Sequence, residues 1–433
     1  MTALLYLLGV VVFVVGVAVS IGLHEVGHMY PAKKFGVKVT QFFVGFGRTV
    51  WSRRRGETEY GVKAMPLGGY VKLVGMLPPD REDALARPRS SNTGMFTQLI
   101  SDARSAEYEL VQPGDEDRLF YRLPWWKKVI VMAGGPTVNL VIAFVLFAGI
   151  FGLYGVQEPT TTVNTVSACV IPAEDAGRDC TSADPASPAA AAGLLPGDRI
   201  LSFNGTPIRS WDQLVDLIRA NRDGKAVIGY ERDGEQLTAT TDTTVNTVRS
   251  LDDVEKTVEA GFLGVTTTPT RETHGLLYTT EQMGSMTWDT VKALGELPVR
   301  VWGVAKAVVG IEERAADSPV SVVGAGRIAG EITSDDRNTG VERIVFLASL
   351  LAGLNLFVGM FNFIPLLPLD GGHIAGALYE GLRRGWAKVR RRPDPGFVDV
   401  AKLLPVAYVV ASVLLVMGFV LIVGDLVAPI EVG

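Results

Sequence analysis

Histidine is scarce in this chain, four residues in 433, and cysteine scarcer still, with two. Charge is missing altogether from four stretches: Met1–Leu23, Val129–Gln157, Ile344–Leu369 and Leu403–Gly424 hold no Asp, Glu, Lys or Arg. Each is as long as the helix of about 20 apolar residues that crosses a bilayer core. A charged fraction of 20% and a mean hydropathy of +0.26 conceal this segregation. The chain reads as a membrane protein with four spans. The first stretch lacks a basic leader and an A-x-A cleavage site, which argues against a signal peptide and for a retained span. No basic stripe is present, so no nucleic-acid partner is expected, and no internal repeat is visible.

The charges that do occur set the orientation. Between Met29 and Lys128 there are 17 Lys/Arg against 11 Asp/Glu, with Lys33, Lys34, Lys127 and Lys128 close to the spans. Between Glu158 and Arg343 the balance reverses to 17 against 28, and the connection from Arg383 to Lys402 is basic again. Basic loops stay in the cytosol, so both termini are expected outside. Cys169 and Cys180 then fall in the outer loop, an oxidising setting compatible with a disulfide and equally with two free thiols.

The chain divides accordingly. Residues 1–36 form a first span ending in "HEVGH"; 37–77 alternate with a period of two around Gly-rich turns and read as a cytosolic-side β-element that dips toward the membrane. Backbone at that depth must be paired or buried, which favours a hairpin. Residues 78–124 are polar and Pro/Ser-rich, a flexible cytosolic insertion; 125–157 are the second span. Residues 158–270 carry a helix capped near Ser210 and a hairpin turning at Asp233–Gly234. Residues 271–343 suggest amphipathic helices at the membrane surface or against the outer domain. Residues 344–380 are the third span, 381–402 a basic loop, and 403–433 the fourth span.

His24 and His28 stand at i and i+4, so a helix presents both imidazoles on one face, able to chelate one ion. Glu25 beside them is placed to take a proton from water and return it to a leaving amine. With so little histidine, H-E-x-x-H would arise by chance in roughly two such chains per thousand. A catalytic zinc takes three protein ligands, and none follows His28 nearby. The candidates lie in "NFIPLLPLDGGH", where Asp370 is favoured over His373. Spans one and three both run inward, so His24 and Asp370 arrive at matching depth. Leu4 to His24 covers roughly 30 Å as helix.

The motifs "HEVGH", "GFG", "PLGGYVKL", "GGPTVNL" and "NFIPLLPLDGG", taken in order, resemble the site-2 protease family of intramembrane zinc metalloproteases, and within it the bacterial regulator-of-sigma-E-protease group. Residues 187–240, with "GLLPGDRILSFNG", resemble a PDZ domain, a fold that binds chain termini by strand addition. The resemblance implies a polytopic α-helical membrane protein of four spans, with a re-entrant β-element and an extracytoplasmic PDZ-like α+β domain, in a bacterial inner membrane with its active site near the cytosolic face. It implies one Zn2+ on His24, His28 and Asp370, with Glu25 as catalytic acid/base. Asn362 and Pro365 in the broken third span and Gly68, Gly69 and Tyr70 in the β-element would hold substrate, and Asn139 would pack around the site. Implied partners are single-pass membrane substrates, of the anti-sigma-factor or remnant-signal-peptide type, the lipid bilayer and an upstream site-1-type protease. The alternative is a non-catalytic zinc-site scaffold recruiting partners through the PDZ-like domain, against which the intact Glu25 argues. Two departures stand out: Met76 occupies a position where the family often has Glu, and only one PDZ-like module is present.

Overall fold

A computed structural model describes residues 2–78, 95–109, 111–175, 178–249 and 257–430. The chain forms two compact units, one of Met1–Leu153 with Gly275–Gly433 and one of Tyr154–His274.

The first unit begins with α1 (Thr2–Lys34), β1 (Val39–Arg55) and β2 (Thr58–Leu73), then α2 (Met95–Tyr108) and α3 (Trp125–Gly149). Among the described residues four helices are long and apolar enough to cross a membrane: Thr2–Lys34, Trp125–Tyr154, Gly340–Asn362 and Val400–Val427. The buried positions of α1, Gly9, Phe13, Val17 and Ser20, recur at close to helical period and form one stripe. β1 and β2 pair antiparallel, and Gln41 to Val44 find partners on both sides, Glu59–Val62 and Gly69–Lys72. Residues 41–44 are therefore central, and the end of β2 is an edge.

The second unit holds β3 (Val156–Val166), α4 (Pro188–Ala191), β4 (Arg199–Phe203), β5 (Thr206–Pro207), α5 (Trp211–Asn221), β6 (Lys225–Arg232), β7 (Glu235–Asp242), β8 (Thr244–Arg249), β9 (Thr257–Phe262) and β10 (Val265–Glu272). Its main sheet runs β10-β3-β4-β6-β7, with β5 on β4 and a separate β8–β9 hairpin. Ser210 caps α5 by accepting from the Gln213 amide, and Leu214 and Ile218 turn inward onto Ile200, Phe203 and Ile228. Burying each such side chain contributes about 1.5–3 kcal/mol. Cys169 and Cys180 form a disulfide.

The chain then returns to the first unit through α6 (Leu276–Val308), α7 (Val322–Ser334), α8 (Gly340–Asn362), α9 (Asp370–Val389) and α10 (Leu404–Val427). Two expectations need revision, the insertion over 78–124 and the surface placement of 271–343. The stretch 78–124 is not a loose insertion throughout: residues 79–94 lie outside the described residues, but Leu119, Phe120, Tyr121 and Leu123 are buried, and Lys38 is paired with a buried Asp115. Apolar side chains spaced through a polar segment were enough to anchor it. The third span is broken where its prolines stand: the helix ends at Asn362 and restarts at Asp370, since Pro365 and Pro368 cannot donate helical hydrogen bonds. Within 271–343, α7 is not a surface element. Its small residues Ala325 and Ala329 pack on Phe13 and Val17 of α1, the close approach by which helices associate in lipid.

Candidate metal centre

The site is built where α1 and α3 cross. Gly27 and Gly134 bring the two backbones together, since a Cβ on Gly134 would sit 1.9 Å from the Gly27 carbonyl oxygen. One step on, a Cβ on Gly135 would lie 2.3 Å from His28 Nε2 and 2.8 Å from His24 Cε1. The glycine pair thus leaves room for both imidazoles on the face of α1 that points at α3.

On α3, Val131, Gly135 and Asn139 follow at intervals of four and form one stripe. Its two ends hold the rings. His24 Nδ1 donates to Asn139 Oδ1 at 3.0 Å, and His28 Nδ1 donates to the Val131 carbonyl at 2.8 Å. With Nδ1 protonated on both, each Nε2 is left with a free lone pair, the arrangement in which histidine binds a metal. Asn139 therefore does more than pack: it fixes the ring that sequence reasoning placed beside it. The interval of four between Val131, Gly135 and Asn139 was the signal that could have revealed this.

Asp370, the first residue of α9, closes the group. Its Oδ2 lies 3.4 Å from His24 Nε2 and 3.3 Å from His28 Nε2, and the two Nε2 atoms are 3.2 Å apart. Tetrahedral bonds of 2.0–2.1 Å separate donor atoms by about 3.3 Å. The triangle thus has the edge length of a zinc coordination tetrahedron, and two imidazoles with one carboxylate are a donor set that zinc accepts. Among the described residues His24, His28 and Asp370 form such a cluster; His373 stands outside it.

Glu25 is buried, 8% exposed, and faces the same cavity of about 450 Å3. The walls come from four directions: Gly68, Gly69, Tyr70 and Val71 of β2, Met132 and Asn139 of α3, Val358 and Asn362 of α8, and Pro368, Asp370 and His373 around the helix break. Gly69 lies so close that a Cβ there would meet Glu25 Cγ at 3.0 Å and the Phe43 carbonyl oxygen at 3.0 Å. Tyr70 stacks on Phe43, with ring centroids 5.6 Å apart, and its hydroxyl donates to Gln41. Pro365 is exposed and does not line the cavity; Pro368 does. The departure at Met76 is part of the same wall.

Residues 12–393 match peptidase family M50. The chain is 34% identical to zinc metalloprotease Rip1 of Mycobacterium tuberculosis, over 99% of both chains. It is 33% identical to the Mycolicibacterium smegmatis protein of that name, over 98% of both. It is also 28% identical to metalloprotease MmpA of Caulobacter vibrioides, over 89% of both.

Proposed function

This chain belongs to peptidase family M50 and is a zinc metalloprotease; from that premise we propose that it is an intramembrane endopeptidase. Its substrates are single-pass membrane proteins, of the anti-sigma-factor or remnant-signal-peptide type, cut within or near the span. The observation that carries this reading is the convergence of His24, His28 and Asp370 beside the buried Glu25, in a cavity walled by helices and a sheet edge.

In this reading His24, His28 and Asp370 hold zinc. When bound, the ion supplies Lewis-acid polarisation of the scissile carbonyl and a more acidic water. Glu25 takes one proton from the attacking water as the new C–O bond forms, then gives it to the amine nitrogen as the C–N bond breaks. Asn139 and the Val131 carbonyl hold the imidazoles through the cycle.

A substrate helix shields its peptide bonds, so it must unwind, and backbone groups freed in lipid need new partners. The edge at Gly68, Gly69 and Tyr70 offers them beside Glu25, and Asn362 lies across the same cavity. Pro365, exposed and outside the cavity, has no part in this. Residues 37–77 act as a re-entrant element, supported by the approach of Val44 to α1, where a Cβ on Gly22 would lie 3.4 Å from Val44 Cγ2, and by Pro66 sharing a cavity wall with Tyr6 and Val17. The basic inner loops put the site near the cytosolic face, with both termini outside. The PDZ-like unit then admits substrates already trimmed by a site-1-type protease.

The test is cleavage of a reconstituted single-pass substrate by wild type and by Glu25→Gln. The variant is expected to keep its zinc and lose cleavage by at least about a hundredfold; equal rates at equal zinc content would remove Glu25 from the mechanism.

A further inference from the structure

α9 has two unlike faces. Ala377, Glu380 and Ala387 are buried, and Glu380 is tied to Lys128 of α3 at 2.7 Å. On the other side Leu378, Tyr379, Leu382, Trp386 and Val389 are 44%, 57%, 73%, 60% and 80% exposed. At about 100° per residue these five fall within an arc of about 100°, a continuous apolar stripe on a helix that is not among the four spans.

The neighbours of α9 give its depth. A Cβ on Gly381 would lie 2.6 Å from the ring of Trp125, where span two begins, and one on Gly376 would lie 3.1 Å from Val400, where span four begins. Trp125 and Trp126 are partly exposed, and Lys127 sits over the Trp126 ring at 5.5 Å, the aromatic and cationic belt that marks a bilayer interface. A helix touching both entry points lies at headgroup level. Its exposed stripe lies on the face turned away from the buried Ala377, Glu380 and Ala387.

The far end is basic. Lys388, Arg390, Arg391 and Arg392 are exposed, and among the described residues none of them forms an ion pair. The nearby carboxylates are engaged elsewhere, Glu380 by Lys128 and Arg384 and Asp394 by Arg384. Arg390 covers Trp386 at 4.3 Å, along one border of the stripe. Apolar side chains at headgroup depth, bordered by unpaired cations, match an anionic leaflet surface.

We propose that α9 is an interfacial helix whose apolar stripe inserts into one leaflet and whose Lys388/Arg390/Arg391/Arg392 cluster binds anionic lipid headgroups. Asp370 opens this helix and Val389 ends it, about 30 Å apart along the axis. The lipid therefore grips the distal end of the rod that presents Asp370.

The test uses the full-length protein in nanodiscs of phosphatidylcholine, with and without phosphatidylglycerol. A nitroxide is placed at Leu382→Cys, the native cysteines being joined in their disulfide, and in a separate sample at Val389→Cys, so that a local disturbance at one site does not decide the result. Power saturation with oxygen and a nickel chelate reads depth, with Val227→Cys on the second unit as the aqueous reference. Both α9 labels are expected to admit oxygen and exclude nickel. Phosphatidylglycerol is expected to immobilise them further, and high salt or the K388Q/R390Q/R391Q/R392Q variant to abolish that response. Nickel accessibility equal to that at residue 227 in both lipids would overturn the proposal and leave the stripe for a protein partner. A quadruple variant that responds to phosphatidylglycerol as wild type does would overturn the lipid-charge assignment.

Discussion

Removing the Asn139 amide leaves His24 Nδ1 inside the protein without its acceptor, and the ring is then free to turn its lone pair away from Asp370. Outer partners of metal-binding histidines typically account for 10–100-fold in metal affinity or activity. Asn139→Ala is accordingly expected to weaken zinc binding by about that factor, read by competition with a chelator. The glycine beside it makes a sharper contrast. Gly135→Ala forces a methyl group onto His28 Nε2, whereas Gly149, on the same helix, has nothing within 4 Å of its missing Cβ. Gly135→Ala should therefore lose zinc. Gly149→Ala should retain it and gain up to about 1 kcal/mol in helix stability, measured as metal content and detergent melting temperature. Equal behaviour of the two would mean that the crossing of α1 and α3 does not shape the site.

At the scale of elements, the β2 edge is the feature that distinguishes this centre from two histidines on a helix. Gly69 brings that edge against Ile21 and Glu25, so Gly69→Ala must push either the strand or the Glu25 side chain aside. The expected outcome is a loss of cleavage of about tenfold or more, the range in which misplacement by an ångström is felt, with zinc content unchanged. A variant that loses zinc as well would mean that the strand supports the metal triangle rather than the reacting carbonyl. The break between α8 and α9 is the second such feature. Pro365 and Pro368 mark it in the sequence, but which of them faces the cavity depends on how residues 363–369 fold back, and that contact is made by residues distant in the chain.

For the whole molecule, a source of acid sensitivity can be located in the second unit. In the second unit Asp198 is 1% exposed and accepts from Arg232 Nε at 2.7 Å and from the Leu195 amide at 2.8 Å. Burial pushes its carboxyl up, but the Arg232 and Leu195 hydrogen bonds outweigh that and hold it below the ordinary value. A depressed folded value means that the unfolded state binds the proton first. The stabilisation is then complete above the unfolded pKa of about 4 and is lost as pH falls through the lower, folded value. Protection of the β4 and β6 amides against hydrogen exchange, relative to the intrinsic rate at each pH, should fall below about pH 4 in wild type. Asp198→Asn should exchange faster already at pH 7 and change less on acidification; an unchanged acid response would exclude Asp198 as its source.

The sequence by itself determined the four apolar helices and the i, i+4 histidines with Glu25 between them, and it favoured Asp370 over His373 as the remaining donor. Each is written in local pattern: a run without charge, a helical period, an isolated carboxylate after an uncharged segment. The hairpin over 37–77 and the capped helix at Ser210 were legible for the same reason. Only the tertiary structure decided that Asn139 and the Val131 carbonyl orient the rings, that Gly134 and Gly135 clear the space for them, that Pro368 rather than Pro365 walls the cavity, and that α7 lies against α1. These facts depend on which face of one helix meets another. A pattern within a single helix fixes the face and its depth, but its partner is chosen by close packing among small residues far apart in the chain.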